Sequence, residues 1–180
     1  MGRRALIDRA AIVDAAMRLA DEDGLDAVTM HAVAQRLRVT PMALYRHMDS
    51  KQDLLDGLVE RLLTSFPLPP AGGPWADRLT ATASAIRSVA RQHPTVFPLL
   101  LTRPAATPAA RSVRDFVLTA LGEAGLAEAA ATRAERLIST TVLGFAVSEA
   151  AGRFAQHPQA VIDEDFTTLL DWLRQLLPAP

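Results

Sequence analysis

The chain has 180 residues and a formal net charge of −1, with 49% hydrophobic and 22% charged residues. These values exclude a disordered chain, and the length fits one large domain or two small ones. No cysteine occurs, which excludes disulfides, thiolate zinc sites and cysteine nucleophiles. Because alanine and leucine are abundant and β-branched residues are few, we expect an all-α protein.

The first residues do not form an export signal, because Asp8 and Arg9 interrupt the apolar run that such a signal needs. The longest strongly apolar piece, Val96 to Leu101, contains a proline and is far shorter than the roughly 20 residues that span a bilayer. We therefore expect a cytoplasmic protein with no membrane partner.

The first two predicted helices lie before residue 40. Residues 7–23 form the first, with Asp8 as its N-cap and Gly24 at its end. Thr29 caps a second, short helix. Their inward-facing residues recur at helical spacing and are Ile12, Ala15, Ala16, Leu19 and Ala20 in the first and Val33, Ala34 and Leu37 in the second.

The next two helices have strong start signals. Thr40-Pro41 places a cap before a proline, which has no N–H to leave unpaired, and predicts a helix from Pro41 to about His47. Ser50 begins a fourth helix, with Asp53 three residues on as an approximate capping box. The apolar stripe of this helix consists of Leu54, Leu55, Leu58 and Leu62.

A composition break at residues 66–74, with four prolines and two glycines, marks the domain boundary. We expect a first helical domain at 1–50, a connecting helix at 51–66 and a second helical domain at 67–180. Acidic residues 163–165 suit the N-terminus of the last helix. Helical segments are predicted over residues 75–93, 94–101, 108–122, 127–154 and 163–177.

Two short helices joined by a tight turn, after a longer supporting helix, form the helix-turn-helix pattern. Its second helix enters the DNA major groove by its N-terminal residues. Here Leu44 is expected to be buried, while the outward-facing side chains can bond phosphates, guanine or thymine methyl groups. These are Thr40, Met42, Tyr45, Arg46 and His47. Thr29 and His31 lie at the preceding helix N-terminus, whose free N–H groups suit a phosphate.

The charge distribution is compatible with this interpretation. Residues 29–51 carry Arg36, Arg38, Arg46 and Lys51 against Asp49, a net of +3. A local basic patch on a neutral protein can bind phosphate, and on charge alone a solvated surface explains it equally well.

Five short strings carry a family resemblance over residues 5–63: Ile12-Val13-Asp14-Ala15-Ala16, Asp23-Gly24-Leu25, Val28-Thr29-Met30, Val33-Ala34-Gln35-Arg36-Leu37 and Ala43-Leu44-Tyr45-Arg46-His47. With them this region resembles the N-terminal domain of the tetracycline-repressor (TetR) family. The resemblance implies DNA contacts by Thr29, Thr40, Met42, Tyr45, His47 and Lys51, with base recognition near Pro41, Met42 and Arg46. One departure is Arg38, where the family usually has glycine, so the turn carries left-handed strain or adjusts slightly.

The second domain is similar to the regulatory domain of the tetracycline-repressor branch, through Trp75, His93-Pro94, Thr102-Arg103-Pro104, Ala124-Gly125-Leu126, Gly144 and Glu149. The resemblance implies a helical ligand cavity, and matching positions are Thr82, Ile86, Leu99, Arg103, Phe116 and Glu149. Several have plainer explanations. The apolar ones suit an ordinary core, Arg103 can cap a helix end, and Glu149 is four residues before Arg153, the spacing of a surface ion pair.

The implied ligand is an organic molecule bound without a metal or other cofactor. Where members that bind magnesium–tetracycline have a histidine ligand, this chain has Leu99, and leucine offers Mg²⁺ no oxygen or nitrogen. We therefore expect a largely apolar cavity and release from DNA that needs no divalent metal.

The sequence predicts a homodimeric, ligand-responsive repressor that binds a near-palindromic operator. An activator with the same module, or a helical carrier with an incidental basic patch, are the alternatives. An enzyme is disfavoured, because the four histidines lie on separate elements and no phosphate loop or nucleophile elbow occurs. The expected dimer face lies on the C-terminal helices and includes Leu137, Val142, Phe145, Phe166, Leu169, Leu170, Leu173 and Leu176.

Overall fold

The computed structural model describes residues 7–103 and 107–177, and these residues form helices and turns without a β-strand. The predicted all-α fold is confirmed. The helices are α1 (Arg9–Asp23), α2 (Met30–Arg36), α3 (Pro41–Leu44), α4 (Lys51–Ser65), α5 (Trp75–Gln92), α6 (Leu99–Thr102), α7 (Pro108–Glu123), α8 (Glu128–Ala150) and α9 (Gln159–Gln175). None of the described helices is long and apolar enough to cross a membrane.

Side-chain caps start four of these helices. In each, the cap oxygen accepts a hydrogen bond from the backbone N–H three residues later, at 2.8–3.2 Å. The caps are Asp8, Thr29, Ser50 and Thr107. All four positions follow from local sequence signals, so these helix starts are where the sequence predicts them.

Four helix boundaries differ from the prediction by three residues or more. Helix α6 begins at Leu99 and not at Pro94, because residues 94–98 form a turn. Helix α3 ends at Leu44, and residues 45–47 form a turn. Helix α8 stops at Ala150, shortly before Gly152 adopts a left-handed φ of 75°. Helix α9 begins after Pro158, four residues earlier than predicted. The acidic residues 163–165 therefore lie past its first turn and do not stabilise its N-terminus.

The turn between α2 and α3 contains a left-handed residue that is not glycine. Arg38 has a φ of 56°, which brings its Cβ close to backbone atoms. We expect Arg38→Gly to raise the free energy of unfolding by about 1 kcal/mol in urea denaturation. Arg38→Ala removes the charge but keeps the Cβ, so it should give no gain. An equal gain in both variants would show that the charge, and not the backbone, is responsible.

The N-terminal helices pack around one apolar core. Helix α4 crosses α1 closely at Gly57, where a Cβ atom would lie 2.7 Å from Val13 Cγ2. Glycine is therefore required at this crossing unless Val13 moves. The fully buried side chains of this core include Ile12, Val28, Val33, Leu44, Met48, Leu54, Leu58 and Leu62.

The second domain is built around α5, which packs against α7 and α8, while α9 closes the side of the bundle. The end of α5 joins the two domains. His93 Nδ1 lies 2.9 Å from an Asp21 carboxylate oxygen, and the Thr95 hydroxyl donates to the Ala20 carbonyl at 2.8 Å. Val96 and Phe97 are fully buried beside these contacts. The segment before α6 is thus packed against the end of α1.

Candidate DNA-binding surface and ligand cavity

Helices α2 and α3 form a compact helix-turn-helix unit on α1. The four residues from Leu37 to Thr40 connect them, and Leu44 of α3 is fully buried against the core. Leu44 is the one buried residue of α3, so the other side chains of this helix are accessible to a binding partner.

All nine predicted DNA contacts reach solvent. They are at the N-terminus of α2, along α3 and its following turn, and at the start of α4. Met42 is 72% exposed, which is unusual for an apolar side chain without a partner surface. Pro41 is half-buried; the exposed ones are Thr29, His31, Thr40, Met42, Tyr45, Arg46, His47 and Lys51.

This surface has less unpaired positive charge than the net charge of +3 counted over residues 29–51 suggests. Arg36 is held by Glu22 of α1 through hydrogen bonds of 2.5 and 2.6 Å, so its charge is largely compensated. Among the described residues, Arg38, Arg46 and Lys51 have no ion pair. These three are the cations of this surface that a phosphate could contact.

Arg9 positions the turn after α3, a role that the sequence gives no signal for. Its guanidinium donates to the His47 carbonyl at 3.3 Å and to Asp53 at 2.9 Å. The hydrogen bond from Arg9 lowers the pKa of Asp53, whose carboxylate also accepts from the Asp49 N–H. Arg9 thereby links α1, the turn and the start of α4, which fixes the direction of the α3 surface.

A cavity of about 220 Å³ lies between α4, α5, α7 and α8. Its wall is mostly apolar, with a few polar groups, as is usual for sites that bind organic molecules. The lining residues are Leu63, Leu79, Thr82, Ala83, Ile86, Ala110, Val113, Arg114, Val117, Glu135, Ile138, Ser139, Val142 and Leu143.

Two of the six predicted pocket residues, Thr82 and Ile86, line this cavity. The other four lie elsewhere. Leu99 is buried in α6, and Phe116 packs beneath the Arg78 guanidinium, 5.8 Å from its ring centre. Leu99 is thus a core residue, as its plainer explanation has it, whereas Phe116 is half-buried.

Arg103 connects the second domain to α4 and neither lines the cavity nor caps a helix end through its side chain. Its Nε donates to Asp56 at 2.7 Å, and its terminal nitrogens donate to the side chain and backbone carbonyl of Gln52 at 2.8 and 3.1 Å. Both partners are on α4. Arg103, which directly follows α6, therefore connects the second domain to the helix that links the two domains.

Glu149 also lies outside the cavity, and its partner is not Arg153. Helix α8 ends before Arg153, so the four-residue helical spacing does not hold. Instead, Glu149 accepts hydrogen bonds from Arg87 at 2.6 and 2.7 Å and from Gln159 at 3.1 Å. Burial raises the pKa of Glu149, but these hydrogen bonds lower it by more, so it lies below the usual range.

The C-terminal helices expose fewer apolar residues than predicted. Val142 and Phe166 are buried within the chain's own core, because α8 and α9 pack against α5. Phe145, Leu169, Leu170 and Leu173 are half-buried. The large apolar side chains that remain exposed on these helices are Leu137, Val161, Trp172 and Leu176. Trp172 was not among the predicted set.

No group of three or more metal-ligating side chains occurs in residues 7–103 and 107–177. The described cavity wall contains a single carboxylate and no histidine. Magnesium needs several oxygen ligands in octahedral geometry, which this wall does not supply by itself.

Two family models match successive parts of the chain. Residues 12–58 match the model for bacterial regulatory proteins of the tetR family, and residues 79–173 match the tetracyclin repressor-like C-terminal domain. An HTH-type transcriptional regulator of Saccharopolyspora erythraea is 34% identical over 149 residues, 82% of this chain and 63% of that protein. The chain spans less than two thirds of the length of the first curated relatives that it matches.

Two solved structures are similar over nearly the whole chain. A TetR variant from Acinetobacter baumannii in complex with minocycline has a TM-score of 0.80 and 28% identity, covering 93% of this chain and 94% of that one. BioQ with its natural double-stranded DNA operator has a TM-score of 0.79 and 25% identity, covering 94% and 96%.

Proposed function

The chain belongs to the TetR family of bacterial regulatory proteins, and from this premise we propose that it is a cytoplasmic, homodimeric repressor that an organic ligand releases from a palindromic DNA operator. The observation that carries the proposal is the exposed set of DNA-suited side chains around α3, which the fold holds out to solvent. The second domain supports it with a separate, mostly apolar cavity.

In a dimer, two α3 helices about 34–36 Å apart would enter successive major grooves on one side of the DNA. A ligand acts by favouring a dimer in which that separation is wrong, and such coupling is typically about 1–3 kcal/mol. Leu63 of α4 lines the cavity, while the start of α4 carries Lys51. One rigid helix therefore reaches from the ligand site to the DNA-binding surface.

The test of DNA binding uses two neighbouring cations with different expected roles. Lys51, at the first turn of α4, is proposed to bind a phosphate, whereas Arg46, after α3, is proposed to help select bases. We expect Lys51→Ala to weaken binding to all sequences similarly and to reduce the salt slope by about one phosphate contact. Arg46→Ala should relax preference at particular base pairs, at a cost of about 1–3 kcal/mol.

Random-site selection followed by mobility shifts at several salt concentrations measures both effects. Arg18→Ala, on the supporting helix α1, serves as the control for loss of a positive charge. Equal losses on every sequence for both variants would contradict the assigned roles. Enrichment of no palindrome by the unaltered protein would contradict the proposed function itself.

Arg103 is expected to transmit the ligand signal from α6 to α4. Arg103→Gln removes the charged bond to Asp56, so ligand binding should persist while release from the operator weakens. Operator affinity is measured with and without a ligand identified by thermal-shift screening, and the ratio of the two affinities should fall. Arg133→Gln, at an exposed position of α8, is the control. An unchanged ratio in Arg103→Gln would exclude this route.

A further inference from the structure

The cavity contains a carboxylate that the protein leaves largely unpartnered. Among the lining residues, Glu135 and Arg114 carry the charges. The Glu135 side chain is only 12% exposed, whereas that of Arg114 is 51% exposed. The negative charge is thus inside the cavity and the positive charge is at its solvent side.

The contact between these two residues is weak. Arg114 Nε lies 3.6 Å from Glu135 Oε2, beyond the range of a hydrogen bond. Within residues 7–103 and 107–177, no other group donates a hydrogen bond to Glu135. An ionised carboxylate can accept about four hydrogen bonds. Glu149 on the same helix accepts three, which shows how a buried carboxylate is satisfied elsewhere in this fold.

The two hydroxyl groups of the cavity wall already donate their hydrogens to backbone carbonyls, so they can only accept hydrogen bonds from a ligand. The Thr82 hydroxyl donates to the Arg78 carbonyl at 2.7 Å, and the Ser139 hydroxyl donates to the Arg136 carbonyl at 3.2 Å. A ligand that only accepts hydrogen bonds therefore finds no donor in the described wall except the exposed Arg114. A ligand that donates finds several acceptors.

We propose that this cavity selects molecules that combine an apolar body with a protonated amine, and that Glu135 binds the ammonium group. The inference rests on the proposed function only in taking this cavity as the ligand site. The ammonium gains a charge-assisted hydrogen bond in an apolar surrounding, where such bonds are strong. Little is lost when Arg114 turns to solvent, because its 3.6 Å contact with Glu135 is not a hydrogen bond and half of its side chain is already exposed. A carboxylate ligand would meet a like charge at Glu135.

Three compounds with one apolar body test the proposal: naphthylmethylamine, naphthylmethanol and naphthoic acid. Calorimetry measures their binding to the full chain and to Glu135→Gln, which keeps the shape of the side chain and removes its charge. We expect the amine to bind most tightly and to lose about ten- to a hundredfold in affinity in Glu135→Gln, while the alcohol changes little. Glu128→Gln, at the exposed start of the same helix, should leave all three affinities unchanged.

Binding of the acid as tight as that of the amine, binding of none of the three, or an unchanged amine affinity in Glu135→Gln would overturn the proposal. Circular dichroism confirms that each variant is folded. Mobility shifts with the selected operator separate this inference from the proposed function. Amine binding without release from DNA would contradict the ligand-released repressor and support the amine site. Equal release by all three compounds would support the repressor and overturn the amine site.

Discussion

Replacing Arg87 with methionine is expected to destabilise the protein by about 3–5 kcal/mol at neutral pH. Arg87 is nearly buried between α5, α8 and α9, where it donates to Glu149 at 2.6 and 2.7 Å and to Asp163 at 2.6 Å. Its guanidinium also lies 4.7 Å from the ring centre of Phe166. Methionine fills much of the volume but leaves the Glu149 carboxylate buried without its cation. Urea denaturation monitored by circular dichroism measures the loss.

A double variant separates charge from packing. Arg87→Met combined with Glu149→Met replaces the buried pair by apolar side chains, so most of the lost stability should return. Arg91→Met, one turn later on the exposed side of α5, should change stability by no more than about 0.5 kcal/mol. If the double variant is no more stable than Arg87→Met, unpaired burial of Glu149 is not the cause.

Acid provides an independent check on the same cluster. The pKa values of Glu149 and Asp163 lie below their usual ranges in the folded protein. The stability that they contribute is therefore present above the unfolded-state pKa values of about 4 and is lost as the pH falls through the folded values. The difference between the unaltered protein and Arg87→Met should narrow in acid; a constant difference from pH 7 to pH 3 would contradict this account.

The second large effect is expected on dimer formation and, through it, on operator binding. Val161 and Trp172 of α9 and Leu176, its C-cap, are separated by eleven and four residues. These spacings are close to whole helical turns, so the three side chains form one stripe. Trp172 is 63% and Leu176 81% exposed. Apolar side chains arranged in this way suit the core of an interface with a second copy.

We expect Trp172→Asp combined with Leu176→Asp to give monomers in analytical ultracentrifugation. Operator affinity should then fall by about 10²–10⁴-fold, because one recognition helix binds without its linked partner. Removing residues 160–180 is a poorer test, since it also deletes Ile162 and Phe166 from the core. Leu101→Asp, an exposed apolar residue on α6, is the control. A dimeric double variant would place the interface elsewhere.

The sequence by itself was sufficient where the determining interactions are local. An N-cap residue accepts a hydrogen bond from the N–H group three residues later, and a proline or a left-handed glycine affects only the helical turn in which it lies. Helix starts and the helix-turn-helix unit can therefore be predicted from a few consecutive residues. Exposure of the α3 side chains follows from helical periodicity in the same way. Pro158 is a similar local signal for the start of α9. The prediction placed the start later because acidic residues 163–165 are typical of the first turn of a helix.

Only the tertiary structure decided which partners meet across helices. Arg87 and Glu149 are 62 residues apart, and Arg103 and Asp56 are 47 apart, so no spacing rule connects them. The same holds for the cavity, whose wall combines four helices, and for Glu135, which looks like an ordinary helix-surface glutamate in the sequence. Charged side chains on one helix have several possible partners, and the packing of α5, α7, α8 and α9 selects among them. Burial, which sets the strength of each pair, exists only once those helices are assembled.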